Sequence, residues 1–299
     1  MAKIPVAQTL EHAYGFTFGR FLTVIGLTWV SFLILAIGCY FLLPPYFTAI
    51  QTMIQTRNPA ALGAALGVIP LLVLLTFLCF NMIYVAIARQ SLGSRTGTAW
   101  FYFSLDAAFW KLLGVYLLML LVFGAFAIGA VIVVTILSAA GGLLGQAGRA
   151  FVRGLAIVIM ILGLFYVMLR LMFFAVPVTV AEGRRILRRS WALSGGNFWR
   201  IFAVLLAIYI PFVIVEMILE GIVFASVAMN MPPPGAGPEQ ALAYMNQLGT
   251  QLYGLLPLLV PVVLVLYAIL LSLLISSSTF AYRALVPASN PEGVAAEFA

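Results

Sequence analysis

Residues 110–138 read WKLLGVYLLMLLVFGAFAIGAVIVVTILS, with Lys111 as their one charged side chain. An α-helix rises about 1.5 Å per residue, so about 20 apolar residues cross a hydrocarbon core of about 30 Å. The stretch exceeds that length, which predicts a membrane-spanning helix. Five further stretches meet the same condition: Thr17–Leu43, Gly67–Ala88, Val152–Met172, Trp199–Met229 and Leu252–Ala281. The 299 residues are 65% hydrophobic and 8% charged. A soluble domain is roughly half apolar and about a quarter charged, and it keeps a large wetted surface. Soluble, disordered and fibrous classes are therefore excluded, and an all-α, polytopic helical membrane protein with six transmembrane helices is expected.

Proline and glycine punctuate the spans. Pro44-Pro45 is expected to end the first, because proline lacks an amide donor and clashes with the preceding turn. Gly141-Gly142 closes the third, and Met231-Pro232-Pro233-Pro234-Gly235 the fifth. Pro211, Pro257 and Pro261 are expected to kink their helices. The run Phe21–Leu43 is longer than the apolar core of a signal peptide (about 7–15 residues), so it reads as a retained span. Cys39 and Cys79 lie inside apolar runs and read as small buried thiols. Ala36-Ile37-Gly38-Cys39 weakly resembles a lipoprotein cleavage box, but leucine is expected in place of Ala36 and the apolar run continues to Leu43.

The net charge of +7 sets orientation rather than a nucleic-acid partner. Twelve of the fifteen cations fall at one set of helix ends: Lys3, Arg20, Arg89, Arg95, Lys111, Arg170, Arg184, Arg185, Arg188, Arg189, Arg200 and Arg283. Arg57, Arg149 and Arg153 fall at the other. Cytoplasmic ends carry excess Lys and Arg, so both termini are expected in the cytoplasm of a bacterial inner membrane. Loops 44–66, 139–151 and 230–251 are then outside, and 287–299 forms a flexible tail.

Phe21, Trp110 and Trp199 stand 89 residues apart and 89 again, each beside a cation at the start of a span. The spacing suggests three parallel helical hairpins over 1–89, 90–178 and 179–286 within a single membrane domain. Such anchors also suit any span that starts at this interface.

The most informative segment is Arg184-Arg185-Ile186-Leu187-Arg188-Arg189-Ser190-Trp191-Ala192-Leu193-Ser194. At about 100° per residue, the four arginines and Ala192 share an arc of about 140°. Ile186, Leu187, Ser190, Trp191, Leu193 and Ser194 occupy the opposite side. This pattern is an amphipathic helix on the cytoplasmic membrane surface, before the fifth span. Gly195-Gly196 breaks it, and Asn197 is placed to cap the next helix. Each arginine contributes about 1 kcal/mol of attraction to an anionic leaflet. Two roles follow: plain anchoring, or recognition of anionic phospholipid headgroups by planar guanidinium forks, with Trp191, Trp199 and Arg200 beside them.

Arg170, Pro177, Glu182 and the run Ser190-Trp191-x-Leu193-Ser194-x-Gly196-Asn197-Phe198-Trp199 resemble a bacterial polytopic membrane family, the glycerophosphoryl diester phosphodiesterase membrane domain with its YciC-like relatives. The likeness is clearest over residues 160–215. It implies the six-span layout and some relatives' fusion to a soluble phosphodiesterase barrel. No segment of this chain is left over for such a barrel, so the resemblance implies no catalytic activity here.

The residues give no catalytic pattern either. His12 is the one histidine, and it has no cluster at metal-ligand spacing, so no metal or cofactor is expected. Ser276-Ser277-Ser278-Thr279 would bond backbone carbonyls, as membrane hydroxyls do. Ionisable groups inside a span are functional candidates because charge in lipid is costly. Glu216 and Glu220 share one face of the fifth span, Glu216 about 25 Å along from Trp199. They would hold a cation, relay protons, or mark where a long helix emerges into water. Asn81 is a further candidate, as is Arg170, which is expected to snorkel to the surface. Gly124–Gly129 and Gly154–Gly163 suggest close helix packing. The leading expectation is a non-enzymatic protein that binds or moves a lipid or small amphiphile in a helix-lined cavity. The alternatives are a scaffold for membrane-protein partners or a homo-oligomer, and an intramembrane hydrolase.

Overall fold

The structure, a computed structural model, describes residues 2–56, 60–95, 100–142, 145–228 and 237–286. The expected tail 287–299, Arg57 and the proline cluster 232–234 lie outside them. In chain order the helices are α1 (Val6–Gly19), α2 (Phe21–Thr56), α3 (Ala60–Leu92), α4 (Ala107–Gly141), α5 (Gly145–Met172), α6 (Ala175–Ala181), α7 (Ile186–Ser194), α8 (Phe198–Ala228) and α9 (Pro238–Leu285). No strand occurs among the described residues. Six helical stretches are long and apolar enough to cross a membrane: Phe21–Ala49, Leu66–Leu92, Ala107–Gly141, Gly145–Ala181, Phe198–Ile222 and Val260–Leu285. The chain is thus an all-α, multi-pass membrane protein. Helices dominate because hydrocarbon offers backbone groups no other partner.

Several boundaries differ from expectation. Pro44-Pro45 does not end the first span; α2 continues to Thr56. The hydroxyls of Thr48, Thr52 and Thr56 each donate to the carbonyl four residues back, at 2.9, 2.9 and 2.7 Å. These hydroxyls thereby find partners within the helix itself. The region expected as loop 44–66 is therefore largely helical, and the expected loop 139–151 is largely helical too, since α4 runs to Gly141 and α5 begins at Gly145. The chain upstream of the first span forms its own helix, α1. It breaks from α2 at Arg20, whose backbone leaves the helical region at φ −122° and ψ 34°. Thr9, Ala13, Phe16 and Thr17 form the buried face of α1, which packs chiefly on α9. There the Thr17 and Ser272 hydroxyls meet at 2.8 Å.

Sequence-adjacent spans pack as three hairpins, α2 with α3, α4 with α5, and α8 with α9. Burial is confined mostly to one end of them. Apart from Ala49, Ala130 and Gly141, the buried residues of these spans lie in 23–32 of α2, 79–91 of α3, 109–119 of α4, 201–208 of α8 and 268–282 of α9. Each of these sections is at the basic end of its span. Residues 173–180 are all buried and form the hub, with α6 packed on α3, α4, α7 and α9. Pro177 falls in the first turn of α6, where no intrahelical donor is required. Toward the other end burial falls away, although hairpin partners still meet, Gly38 against Leu75 of α3 and Gly141 against Val152 of α5. None of the most apolar window of α5 is buried, and 11% of that of α4. The expected close packing at Gly124, Gly129, Gly154 and Gly163 is absent, since a Cβ added at any of them would meet nothing within 4 Å. These glycines face open space rather than a neighbouring helix among the described residues.

Candidate functional site: an arginine cleft at the basic end

The last carbonyls of a helix have no intrahelical donors. At the end of α5, serines of α7 supply them. The Ser190 hydroxyl lies 2.6 Å from Leu171 O and 3.1 Å from Arg170 O, and the Ser194 hydroxyl lies 3.1 Å from Arg170 O. The four-residue spacing puts both serines on the inner face of α7, where they are fully buried. Arg170 closes the junction. Its guanidinium donates to Ser194 Oγ at 3.2 Å, Trp191 O at 2.8 Å and the Tyr166 hydroxyl at 3.0 Å. Its Cζ also sits 3.7 Å from the Trp191 ring centroid. Arg170 does not snorkel freely; it is a strut between α5 and α7.

With its inner face occupied, α7 turns Arg188 and Arg189 outward, while Arg184 and Arg185, expected within the helix, lie in the bend before it. Arg184, Arg185, Arg188 and Arg189, with Glu182 and Ala192, line an open cleft of about 530 Å³. Glu182 Oε1 accepts from Arg189 Nε and from the Tyr282 hydroxyl, each at 2.9 Å. One carboxylate thus neutralises one arginine and ties it to α9. Among the described residues no ion pair joins Arg184, Arg185 or Arg188 to a carboxylate. Arg185 takes the left-handed backbone region at φ 47°, the one non-glycine residue to do so among those described. That conformation costs a residue with a Cβ about 1–2 kcal/mol. The strain sits where the chain turns from α6 into the cleft.

The other expected site residues are elsewhere. Trp199 is 74% exposed on α8 and stacks edge-on with Phe198 and Phe202 rather than lining the cleft. The Arg200 guanidinium donates to Ile4 O at 2.7 Å. Asn197 is not turned to cap α8. Its Oδ1 accepts from Ile4 N at 3.1 Å and its Nδ2 donates to Ala2 O at 3.2 Å, gripping the N-terminal arm. Buried Ile4 drives this arrangement, since its backbone groups need partners once covered. Glu216 accepts from the Tyr267 hydroxyl of α9 at 3.3 Å, while Glu220 is exposed. Neither lines the cleft. Asn81 is buried in the core, where its Nδ2 donates to Phe77 O at 2.7 Å and its Oδ1 has no partner among the described residues.

The hydroxyls of Ser276, Ser277, Ser278 and Thr279 all lie within hydrogen-bonding distance of carbonyls of their own helix. Among the described residues, no group of three or more His, Cys, Asp or Glu side chains is placed to hold a metal ion. The residues that sequence reasoning left out of the site are Glu182, Tyr166 and Tyr282. Glu182 stood in the motif without a role. Tyr282 lies 100 residues away along the chain, and no local pattern pairs the two. Comparisons with models of known protein families, with curated proteins and with solved structures each found no match for this chain.

Proposed function

We propose that this chain is a non-enzymatic protein of the bacterial inner membrane that binds an amphiphile through its anionic phosphate headgroup. Both termini are cytoplasmic in this reading. The chain belongs, on Arg170, Pro177, Glu182 and the 190–199 run, with the phosphodiesterase membrane-domain family. One observation carries the proposal: four arginines and one glutamate face the same cleft, so three cationic forks face it without a carboxylate partner. Guanidinium presents paired donors that match phosphate oxygens. The cleft is lined by the segment between the fourth and fifth spans, and in this reading a bound headgroup leaves its chains in the adjoining bilayer. Plain anchoring would need the charges but no cleft.

Native mass spectrometry on nanodiscs of phosphatidylcholine doped with phosphatidylglycerol tests this. Wild type retains phosphatidylglycerol preferentially, and the Arg184→Gln/Arg185→Gln/Arg188→Gln variant loses that preference while keeping its circular dichroism. Equal retention by a folded triple variant would refute the proposal. A second reading, a scaffold or homo-oligomer, is favoured by the glycines of α4 and α5 that face open space among the described residues. Under it, Gly124→Leu combined with Gly163→Leu lowers the assembled mass in detergent and leaves lipid preference intact; an unchanged mass removes this reading.

A further inference from the structure

A second cleft, of about 520 Å³, opens at the same end of the molecule between α1, the end of α3 and the end of α9. Its charges differ from those of the arginine cleft. Arg20 and Arg283 supply two cations, Glu11 a carboxylate, and His12 an imidazole. No ion pair among the described residues joins Glu11 to either arginine. Opposite charges thus line one cleft without neutralising each other directly. Phe16 and Phe280 form its apolar wall. The His12 and Phe280 ring centroids are 5.4 Å apart, and Arg20 Cζ lies 5.9 Å from the Phe16 centroid.

A purely anionic ligand would satisfy the arginines but be repelled by Glu11. A purely cationic one would reverse the fault. We infer that this cleft binds a zwitterion with a phosphate and a primary ammonium, the chemistry of a phosphoethanolamine group. The phosphate accepts from Arg20 and Arg283, and the ammonium donates to Glu11 beside the aromatic wall. A primary ammonium fits better than a quaternary one because only the former has N–H bonds to give the carboxylate. The inference does not depend on the arginine cleft, which has no carboxylate to spare.

The same chemistry occurs free and in a lipid headgroup, and the test separates these sources. The full chain in detergent is titrated with soluble glycerophosphoethanolamine, glycerophosphocholine and glycerol 3-phosphate. In parallel, native mass spectrometry is run on nanodiscs containing phosphatidylethanolamine or phosphatidylcholine. Glycerophosphoethanolamine is expected to bind about tenfold more tightly than glycerophosphocholine, the worth of one charge-assisted hydrogen bond. Retention of phosphatidylethanolamine without binding of the soluble ligand assigns the site to the lipid. Binding of the soluble ligand as well assigns it to the free compound too. Arg20→Gln with Arg283→Gln abolishes binding. Glu11→Gln erases the preference for ethanolamine over choline and strengthens glycerol 3-phosphate. Arg153→Gln, which lies outside both clefts, is the folded control and leaves all of these unchanged. Equal affinity for ethanolamine and choline ligands in wild type overturns the inference, as does a folded Glu11→Gln chain with undiminished preference.

Discussion

Arg170 joins two helices in a way that charge alone would not. It makes three hydrogen bonds and stacks on Trp191, so its planar fork matters as much as its cation. Arg170→Lys keeps the charge but cannot reproduce the fork. It is expected to cost about 2 kcal/mol of stability, read as a lower melting temperature in detergent. A drop no larger than that of an exposed Arg→Lys control would mean that Arg170 only snorkels. Arg185 makes the opposite case. Its left-handed backbone is strained, and strain of this kind collects at functional sites. Asparagine tolerates that region better, so Arg185→Asn should raise stability by about 0.5–1 kcal/mol while weakening retention of phosphatidylglycerol. Stability and binding moving in the same direction would rule out this assignment. The division of α7 into an arginine face and a serine–isoleucine face was legible in its periodicity. Its partner was not. Periodicity says which face is covered, and the exposed carbonyls that Ser190 and Ser194 cover lie on another helix.

Single elements show where local signals compete. Pro44-Pro45 is a strong stop signal in water, yet α2 passes through it, because hydrocarbon penalises unpaired backbone more than a distorted turn. The α6 segment, with Pro177 near its start, lies outside every expected span yet is the hub of the core. Its apolar run of seven residues is too short to be told from a loop by periodicity. The start of α4 followed local rules. Asp106 takes extended geometry at its N-cap, and its Oδ1 accepts from Phe109 N at 3.1 Å. The Arg89 guanidinium pairs with its other oxygen. Partial burial pushes this carboxyl's pKa up, but the Phe109 N–H and the Arg89 charge outweigh it and hold it below its usual value. A depressed folded pKa stabilises the protein above the unfolded pKa, about 3.9, and the benefit is lost as pH falls through the folded value. Asp106→Ala should therefore cost about 1 kcal/mol at pH 7, and the difference from wild type should shrink below about pH 4. A difference in melting temperature that stays constant from pH 7 to pH 3 would show that ionisation of Asp106 contributes nothing.

At the scale of the whole molecule, burial among the described residues is concentrated at the basic end of the spans. Span number and the segregation of cations were legible because both follow from composition along the chain. The asymmetry of packing was not, because lipid-facing and protein-facing apolar residues look alike in sequence. The positive-inside bias predicts that a reporter fused after Gly235 appears on the non-cytoplasmic face. Cytoplasmic activity there would invert the molecule and place both clefts outside. The packing asymmetry makes a sharper prediction within one helix. Leu112 is fully buried in α4 and Leu121, nine positions on, is 71% exposed. In water both would lose hydrophobic transfer energy on truncation. In a bilayer that contribution nearly vanishes, because lipid is as apolar as leucine, and what remains is close packing. Leu112→Ala leaves a cavity among α4, α6 and their neighbours and is expected to cost about 2–3 kcal/mol, the low end for such truncations. Leu121→Ala is filled by lipid and should cost under about 0.5 kcal/mol. Unfolding in bicelles measures both. A large loss at Leu121 would mean that the open half is covered, by a second copy or another partner, and would favour the scaffold reading over a lipid-exposed face.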